Sequence, residues 1–259
     1  MSNFRSGQDG LDVAWLSYGA GVNSTAILVL LTRGEILNIG KWRVVFADTQ
    51  DEKEETYEYL YNKAMPFARK HGTTIEVCRP YEGVIERWAR LGVVGSRITR
   101  ACTDHAKKVP MDKHVKAHSH ELWKITRLVG IHADESHRAK PVDGVRYPLV
   151  ELGYGQEECI DIITRAGLTV PPKSGCWHCP FMRKAEIIQL SISAPCRFES
   201  IVALEDNAEA VRGTRLNHWG NKSAREWRDG GALFADASND IPCGCMDGDS
   251  VVPTEQETP

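Results

Sequence analysis

The chain predicts an α/β fold: a doubly wound parallel sheet followed by a smaller, mostly helical C-terminal region that carries a cysteine site. Three observations lead there. Short segments rich in β-branched and apolar residues alternate with helical segments as far as His132, the pattern of strands joined by helical crossovers. The stretch Ser17-Tyr18-Gly19-Ala20-Gly21-Val22-Asn23-Ser24 turns a strand directly into a helix through two glycines. Beyond Pro148 the strand pattern fades and the chain becomes helical and loop-like. At 259 residues there is ample chain to bury a full core, and the 42% apolar and 26% charged composition is that of a globular protein.

The elements follow in order. Asp12 to Ser17 reads as a buried strand; Asn23 and Ser24 are placed to cap a helix running to Arg33. Lys41 to Asp48 is a second strand. Thr49-Gln50-Asp51-Glu52 then has the form of a capping box, with Thr at the cap and Glu three residues on, opening a helix that runs to His71. Thr74 to Cys78 is a third strand, Tyr81 to Leu91 a helix, and Arg97 to Ala117 a basic loop and helix. Lys124 to His132 is a fourth strand. Gln156 to Ala166 is helical, Pro171 to Met182 is a loop, and 183–212 is largely helical. These elements divide into an α/β domain over 11–148, a helical region over 149–246, and a tail over 247–259 whose Gly, Pro, Thr and Glu content suits disorder.

The longest apolar run, Ala26 to Leu31, is far too short to span a bilayer, so no membrane role is expected. The first residues lack the apolar core of a signal peptide, which makes the cytoplasm the expected location. The net charge of −3 hides an asymmetry: Arg87 to Arg127 holds ten Lys/Arg against three Asp/Glu, whereas Asp229 to the end holds seven Asp/Glu and no Lys/Arg. A basic strip in a mildly acidic protein suits either a local anionic partner, without general affinity for nucleic acid, or a solvated charged face.

In parallel sheets, ligands sit beyond the carboxyl ends of the strands. Three polar clusters fall there: the glycine turn, Asp48-Thr49, and the segment His132 to Arg138. The helix that follows the glycine turn presents unpaired N–H groups and a positive dipole end, which suit a phosphate. Each cluster alone could be a cap or a surface loop; the three together describe a nucleotide pocket.

Cysteine supplies the sharpest chemical signal. Cys176 and Cys179 in "PPKSGCWHCPFM" have a C-x-x-C spacing suited to one metal or cluster. Their proline-rich loop between helices does not match a thioredoxin-type redox pair. A closed site needs about four ligands, and Cys102, Cys243 and Cys245 lie in loop-like surroundings. Cys78 and Cys159 read as small buried hydrophobes, Cys196 leans structural, and His178 reads as a packed or solvent-facing side chain more than a ligand. Spacing alone leaves zinc and iron–sulfur open.

The sequence resembles the phosphoadenosine phosphosulfate reductase-like branch of the PP-loop ATP pyrophosphatases, with an adenine nucleotide alpha hydrolase-like fold, and within it the phage and DNA-phosphorothioation-type proteins. The resemblance rests on "SYGAGVNST", "FADTQDEKEETYEYL", "RACTDHAKKVP" with "GIHADESHR", and "RYPLVELG" followed by "PPKSGCWHCPF". It implies nucleotide contacts from Ser17, Gly19, Gly21, Asn23, Ser24, Asp48 and Thr49. It implies that Asp134, Glu135 and Arg138 work near phosphates and Mg²⁺. It implies that Cys102, Cys176, Cys179 and a C-terminal cysteine, Cys245 or alternatively Cys243, hold a 4Fe-4S cluster, with zinc as the alternative. The PP-loop match departs from the family where Gly19 replaces a serine and Val22-Asn23 replace lysine and aspartate, which removes one charge-based grip on phosphate.

The function implied is an ATP-dependent sulfur transferase: it adenylates a substrate oxygen with release of pyrophosphate and replaces that oxygen with sulfur from a donor protein. A sulfonucleotide reductase is the first alternative, although Pro242-Cys243-Gly244-Cys245 does not match the reductases' Glu-Cys-Gly-containing tail. A non-catalytic nucleotide sensor with a structural zinc site is the second.

Overall fold

A computed structural model describes residues 12–120 and 124–230; Cys243, Cys245 and the 247–259 tail lie outside the described residues. In chain order the elements are β1 (Asp12–Tyr18), α1 (Val22–Arg33), β2 (Lys41–Ala47), α2 (54–70, with a π turn at Leu60–Ala64), β3 (Ile75–Cys78), α3 (Val84–Leu91), α4 (Val109–Ala117), β4 (Lys124–Leu128), β5 (Val145–Arg146), α5 (Pro148–Leu152), α6 (Gln156–Arg165), α7 (Lys184–Ser193), α8 (Pro195–Arg212) and α9 (Ala224–Asp229). A short helical turn, Ala101–Thr103, and a second π turn, Asp104–Lys108, lead into α4.

Contacts divide the described chain into two compact units. The first comprises residues up to 48, 52–80 and 107–174; the second comprises 49–51, 81–106 and 175 onward. The boundary that the sequence suggests near Pro148 is therefore corrected. α6 buries Cys159 and Ile163 in the same core as α1 and the strands, so the chain to 174 belongs with the sheet. The segment 81–106 instead joins the C-terminal helices, because Val84, Trp88 and Ala106 pack with Leu204.

The first unit is a five-stranded, all-parallel sheet in the order β3-β2-β1-β4-β5. Crossovers to the two sides of β1 make a doubly wound sheet, and the strand order reverses between β1 and β4. That reversal is where such sheets leave a crevice at the strand ends. β1 pairs Leu16 with Val44 on one side and with Leu128 on the other. Eight consecutive residues of α1, Ser24 to Leu31, are buried, which explains why its apolar run shows little one-sided periodicity: the helix is covered all round. β5, only two residues long, carries too little pattern to be visible in sequence.

The second unit is helical. α7, α8 and α9 enclose Ile187, Leu190, Phe198, Ile201, Trp219 and Trp227. Ser223 caps α9, accepting from the Glu226 amide while the Glu226 carboxylate takes the Ser223 N–H. No single described helix is long and apolar enough to cross a membrane.

Candidate nucleotide and thiol sites

The glycine turn after β1 lies at the strand-order reversal. Ala20 adopts φ +55°, and Gly21 is the N-cap of α1 with no side-chain cap. The expected capping by Asn23 and Ser24 is corrected, since both lie inside the first helical turn. Ser24 Oγ instead accepts from the Gly19 amide and donates to the Gly21 carbonyl, both at 3.2 Å, clasping the bend from within. Asn23 Nδ2 donates to the Gly130 carbonyl at 3.1 Å, tying the bend to the loop after β4. The amides of Val22, Asn23 and Ser24 have no carbonyl within the helix to bond, as at any helix start. A Cβ on Gly19 would meet nothing within 4 Å. A Cβ on Gly21 would come 3.0 Å from Ser174 Oγ, and one on Gly130 3.0 Å from the Ser24 amide. The bend is bordered by Ser174 and Gly130, neither of which the sequence reading named as a site residue. Ser17, on β1, is buried and its hydroxyl has no hydrogen-bond partner.

At the end of β2, Asp48 is 3% exposed. Its carboxylate accepts from Tyr57 Oη at 2.6 Å and from Arg79 Nε at 2.8 Å. Burial, and then the Asp48 charge, push the Tyr57 hydroxyl well above its ordinary pKa, so it stays a donor. Arg79, at the end of β3, is a strand-end cation that the sequence reading omits. After β4, Asp134 accepts from the Gln156 amide at 2.9 Å and so caps α6. Glu135 pairs with Arg138 at 2.6 Å, and His132 lies 3.2 Å from Asp134 and 3.5 Å from Glu135. The loop thus gathers the three expected residues around His132, with the charge of Arg138 balanced by Glu135.

The expected capping box at Thr49 to Glu52 is not formed. Gln50 has φ +67°, which breaks a helical path, and α2 begins at Glu54 with Lys53 as its cap. Thr49 and Asp51 instead organise the second unit. Thr49 Oγ1 lies 3.5 Å from Cys176 Sγ. Asp51 accepts from the Val84 amide at 3.0 Å, serving the start of α3, and its carbonyl accepts from Trp177 N–H. Burial raises the Asp51 carboxyl pKa, but the His178 ring at 3.5 Å and the α3 amides outweigh it and hold the pKa below the usual value.

The Cys176–Cys179 turn closes with Cys179 N–H donating to the Cys176 carbonyl at 3.2 Å, after Gly175 at φ +150°. Trp219 Nε1 donates to the Cys179 carbonyl. Beneath the turn His218 is 1% exposed. Its Nδ1 accepts from the Gly95 amide at 3.0 Å, so its Nε2 carries the proton and donates to the His178 carbonyl at 2.6 Å. Burial drives the His218 pKa down to about 3. Glu205, also buried, accepts from the His218 and Ala224 amides, and burial raises its pKa. His178 is buried beside Trp88 and Trp177, so it does not face solvent.

Cys102, Cys176 and Cys179 all belong to this second unit, each half-buried. Cys102 packs on the Val84/Trp88 cluster and Cys179 on the Met182/Ile187 cluster, with Ile85 bordering both. Among the described residues Cys102, Cys176 and Cys179 do not form a group of three ligand atoms all within 4.8 Å of one another. Glu76, His114 and His118 do cluster that tightly, but Glu76 already pairs with Arg43 at 2.7 Å. Cys78 and Cys159 are buried, and burial pushes their thiols up to about 11 and about 12, which suits inert packing. Cys196 is exposed.

Comparison with known protein families matches residues 13–143 to the phosphoadenosine phosphosulfate reductase domain. The chain belongs to this family. Comparison with curated proteins finds no match. Membership makes the protein a nucleotide-binding member of the PP-loop type and supports an enzyme of the reductase and sulfur-transfer kind. The matched span runs from β1 through the loop after β4, so the bend, Asp48 and Asp134 to Arg138 lie within the reductase domain, as does Cys102. The Cys176–Cys179 turn lies beyond it.

Proposed function

We propose that the protein is an ATP-dependent sulfur transferase acting on an anionic acceptor. An acceptor oxygen attacks the α-phosphorus of ATP and pyrophosphate leaves; a hydrosulfide-level sulfur from a donor then displaces AMP, which departs with the original oxygen. The observation that carries this reading is the open amide cradle at the start of α1, with Gly19 unobstructed and Ser24 shaping the bend. Positioning and charge neutralisation are what such transfer requires. The amides of Val22, Asn23 and Ser24 would hold pyrophosphate, Asp48 would orient Arg79 at the nucleotide, and Thr49 stands beside Asp48 in sequence. Asp134 and Glu135 would carry Mg²⁺, releasing Arg138 to the transferring phosphoryl group. Cys102, Cys176 and Cys179, with Cys245, would hold a 4Fe-4S cluster, which when bound supplies iron that binds sulfur. The basic residues between Arg87 and Arg127 would receive the acceptor, a nucleic acid or a nucleotide.

The family match itself favours a second reading, a sulfonucleotide reductase. Anaerobically purified protein distinguishes the two. Pyrophosphate release from ATP that depends on an added RNA, DNA or nucleotide and on sulfide is expected. Sulfite release from phosphoadenosine phosphosulfate with a thiol reductant, without pyrophosphate release, would replace transfer by reduction.

A further inference from the structure

The second unit contains a cavity of about 750 Å³. Its volume is in the range of pockets that hold a small organic ligand, about 300–1,000 Å³. The wall runs along α3, through 93–102, and along 212–221, and much of it is apolar, including Leu91, Val93, Val94 and Leu216. Gly95 sets part of its shape: a Cβ there would lie 2.5 Å from Pro180, 2.6 Å from His218 and 2.7 Å from Trp88, so the backbone passes where no side chain fits.

Charge is what gives this cavity a preference. Arg87 lines it but is matched by Glu82 at 3.0 Å. Arg97 and Arg212 also line it, and their hydrogen bonds go only to carbonyls: Arg97 to Pro180, Arg212 to Gly92 and Leu91. Among the described residues neither has a carboxylate within ion-pair distance. Two guanidinium charges at one cavity, held by neutral acceptors and lacking a counter-charge, suit a phosphate group, which the planar fork can grip through two bonds. Two more wall residues carry buried polar atoms without a partner among the described residues, His105 Nε2 and Asn217 Oδ1. Such atoms are costly when unmatched, and a ligand with polar ring substituents would relieve that cost. By contrast, three cations of the basic strip each face a carboxylate: Arg90 faces Glu82, Lys107 faces Glu52 and Arg127 faces Asp112.

We infer that this cavity is a second binding site, separate from the glycine bend, for a phosphorylated nucleoside of mononucleotide size, with Arg97 and Arg212 gripping the phosphate and the apolar wall holding the ring. Cys102 belongs to the same wall. The site does not depend on the sulfur-transfer reading and would stand if that reading failed.

The test uses the full chain and uridine 5′-monophosphate as probe, with inorganic phosphate as comparator. Hydrogen exchange should slow in 93–102 and 212–221 on adding the nucleotide, with no change at 19–24, and inorganic phosphate should bind at least tenfold more weakly. Arg212→Gln and Arg97→Gln should each weaken the nucleotide at least tenfold. Arg212→Lys, which keeps the charge without the fork, should fall between, and unfolding midpoints identify any variant that has lost its fold. No protection in these segments at millimolar nucleotide, or unchanged affinity in folded Arg212→Gln, would overturn the site. Phosphate binding as tightly as the nucleotide would overturn the nucleoside assignment.

Discussion

In the sheet unit the candidate site is made mostly of backbone: the amides at the start of α1, the bend at Gly19 to Gly21, and the Gly130 carbonyl that takes Asn23. In the second unit the thiol turn is held by polar side chains, the half-buried Asp51 and the buried His178, His218 and Glu205. The difference lies in how each tolerates change. A backbone cradle keeps its amides whatever the neighbouring side chains, provided none fills it, so substitutions there should alter binding more than folding. A framework of buried polar groups leaves donors and acceptors unpaired when one member is removed, which adds about 1–3 kcal/mol per orphaned group. Substitutions in the second unit should therefore alter folding and metal retention together.

The largest expected effect is at Cys176. Cys176→Ser should abolish metal retention, measured as iron and zinc per chain after anaerobic purification, while ATP affinity is unchanged. Full metal occupancy would remove Cys176 from the ligand set. Next, Gly95→Ala forces a Cβ against Pro180, His218 and Trp88, and overpacking of this kind destabilises by about 1–3 kcal/mol. A lowered denaturant midpoint with unchanged ATP affinity is expected, and a wild-type midpoint would show that the wall yields.

Asp48→Ala removes the acceptor of Tyr57 and Arg79. It should weaken ATP about tenfold, the equivalent of about 1.4 kcal/mol, with metal content unchanged; equal affinity in a titration would take Asp48 out of the site. The last effect concerns pH. His218 is held neutral with a pKa of about 3 by burial, below the unfolded value of about 6.5. The unfolded chain therefore binds a proton that the folded chain refuses. Stability from this group is complete above about pH 6.5 and declines as pH falls towards 3, with a slope of at most about 1.4 kcal/mol per pH unit. The raised pKa of Glu205 acts in the opposite sense, its contribution being lost as pH rises through its folded value. Denaturant midpoints of wild type and His218→Gln across this range should converge at low pH; parallel curves would rule His218 out as the source.

Sequence made the sheet legible because parallel strands are apolar runs separated by glycine turns and caps, and Asp12–Tyr18, Lys41–Ala47 and Ile75–Cys78 fall where that pattern puts them. The same local reading failed at Thr49 to Glu52, where cap-type residues serve a turn: Gln50 takes a positive φ and Asp51 reaches α3, more than thirty residues on. His218 and Glu205 left no local signal, since their roles come from partners distant in sequence. Gly130 did leave one, a glycine at the end of a strand, but its purpose shows only where the Ser24 amide stands 3.0 Å from its missing side chain.

The central claim, that the bend after β1 seats the pyrophosphate of ATP, is tested most directly by titrating ATP against wild type and Gly21→Val, with inorganic pyrophosphate as competitor. Pyrophosphate should displace ATP from wild type. The variant should lose at least tenfold in affinity for both while keeping its metal content and denaturant midpoint. ATP bound equally well by the folded variant, or bound to wild type without competition from pyrophosphate, would contradict the account.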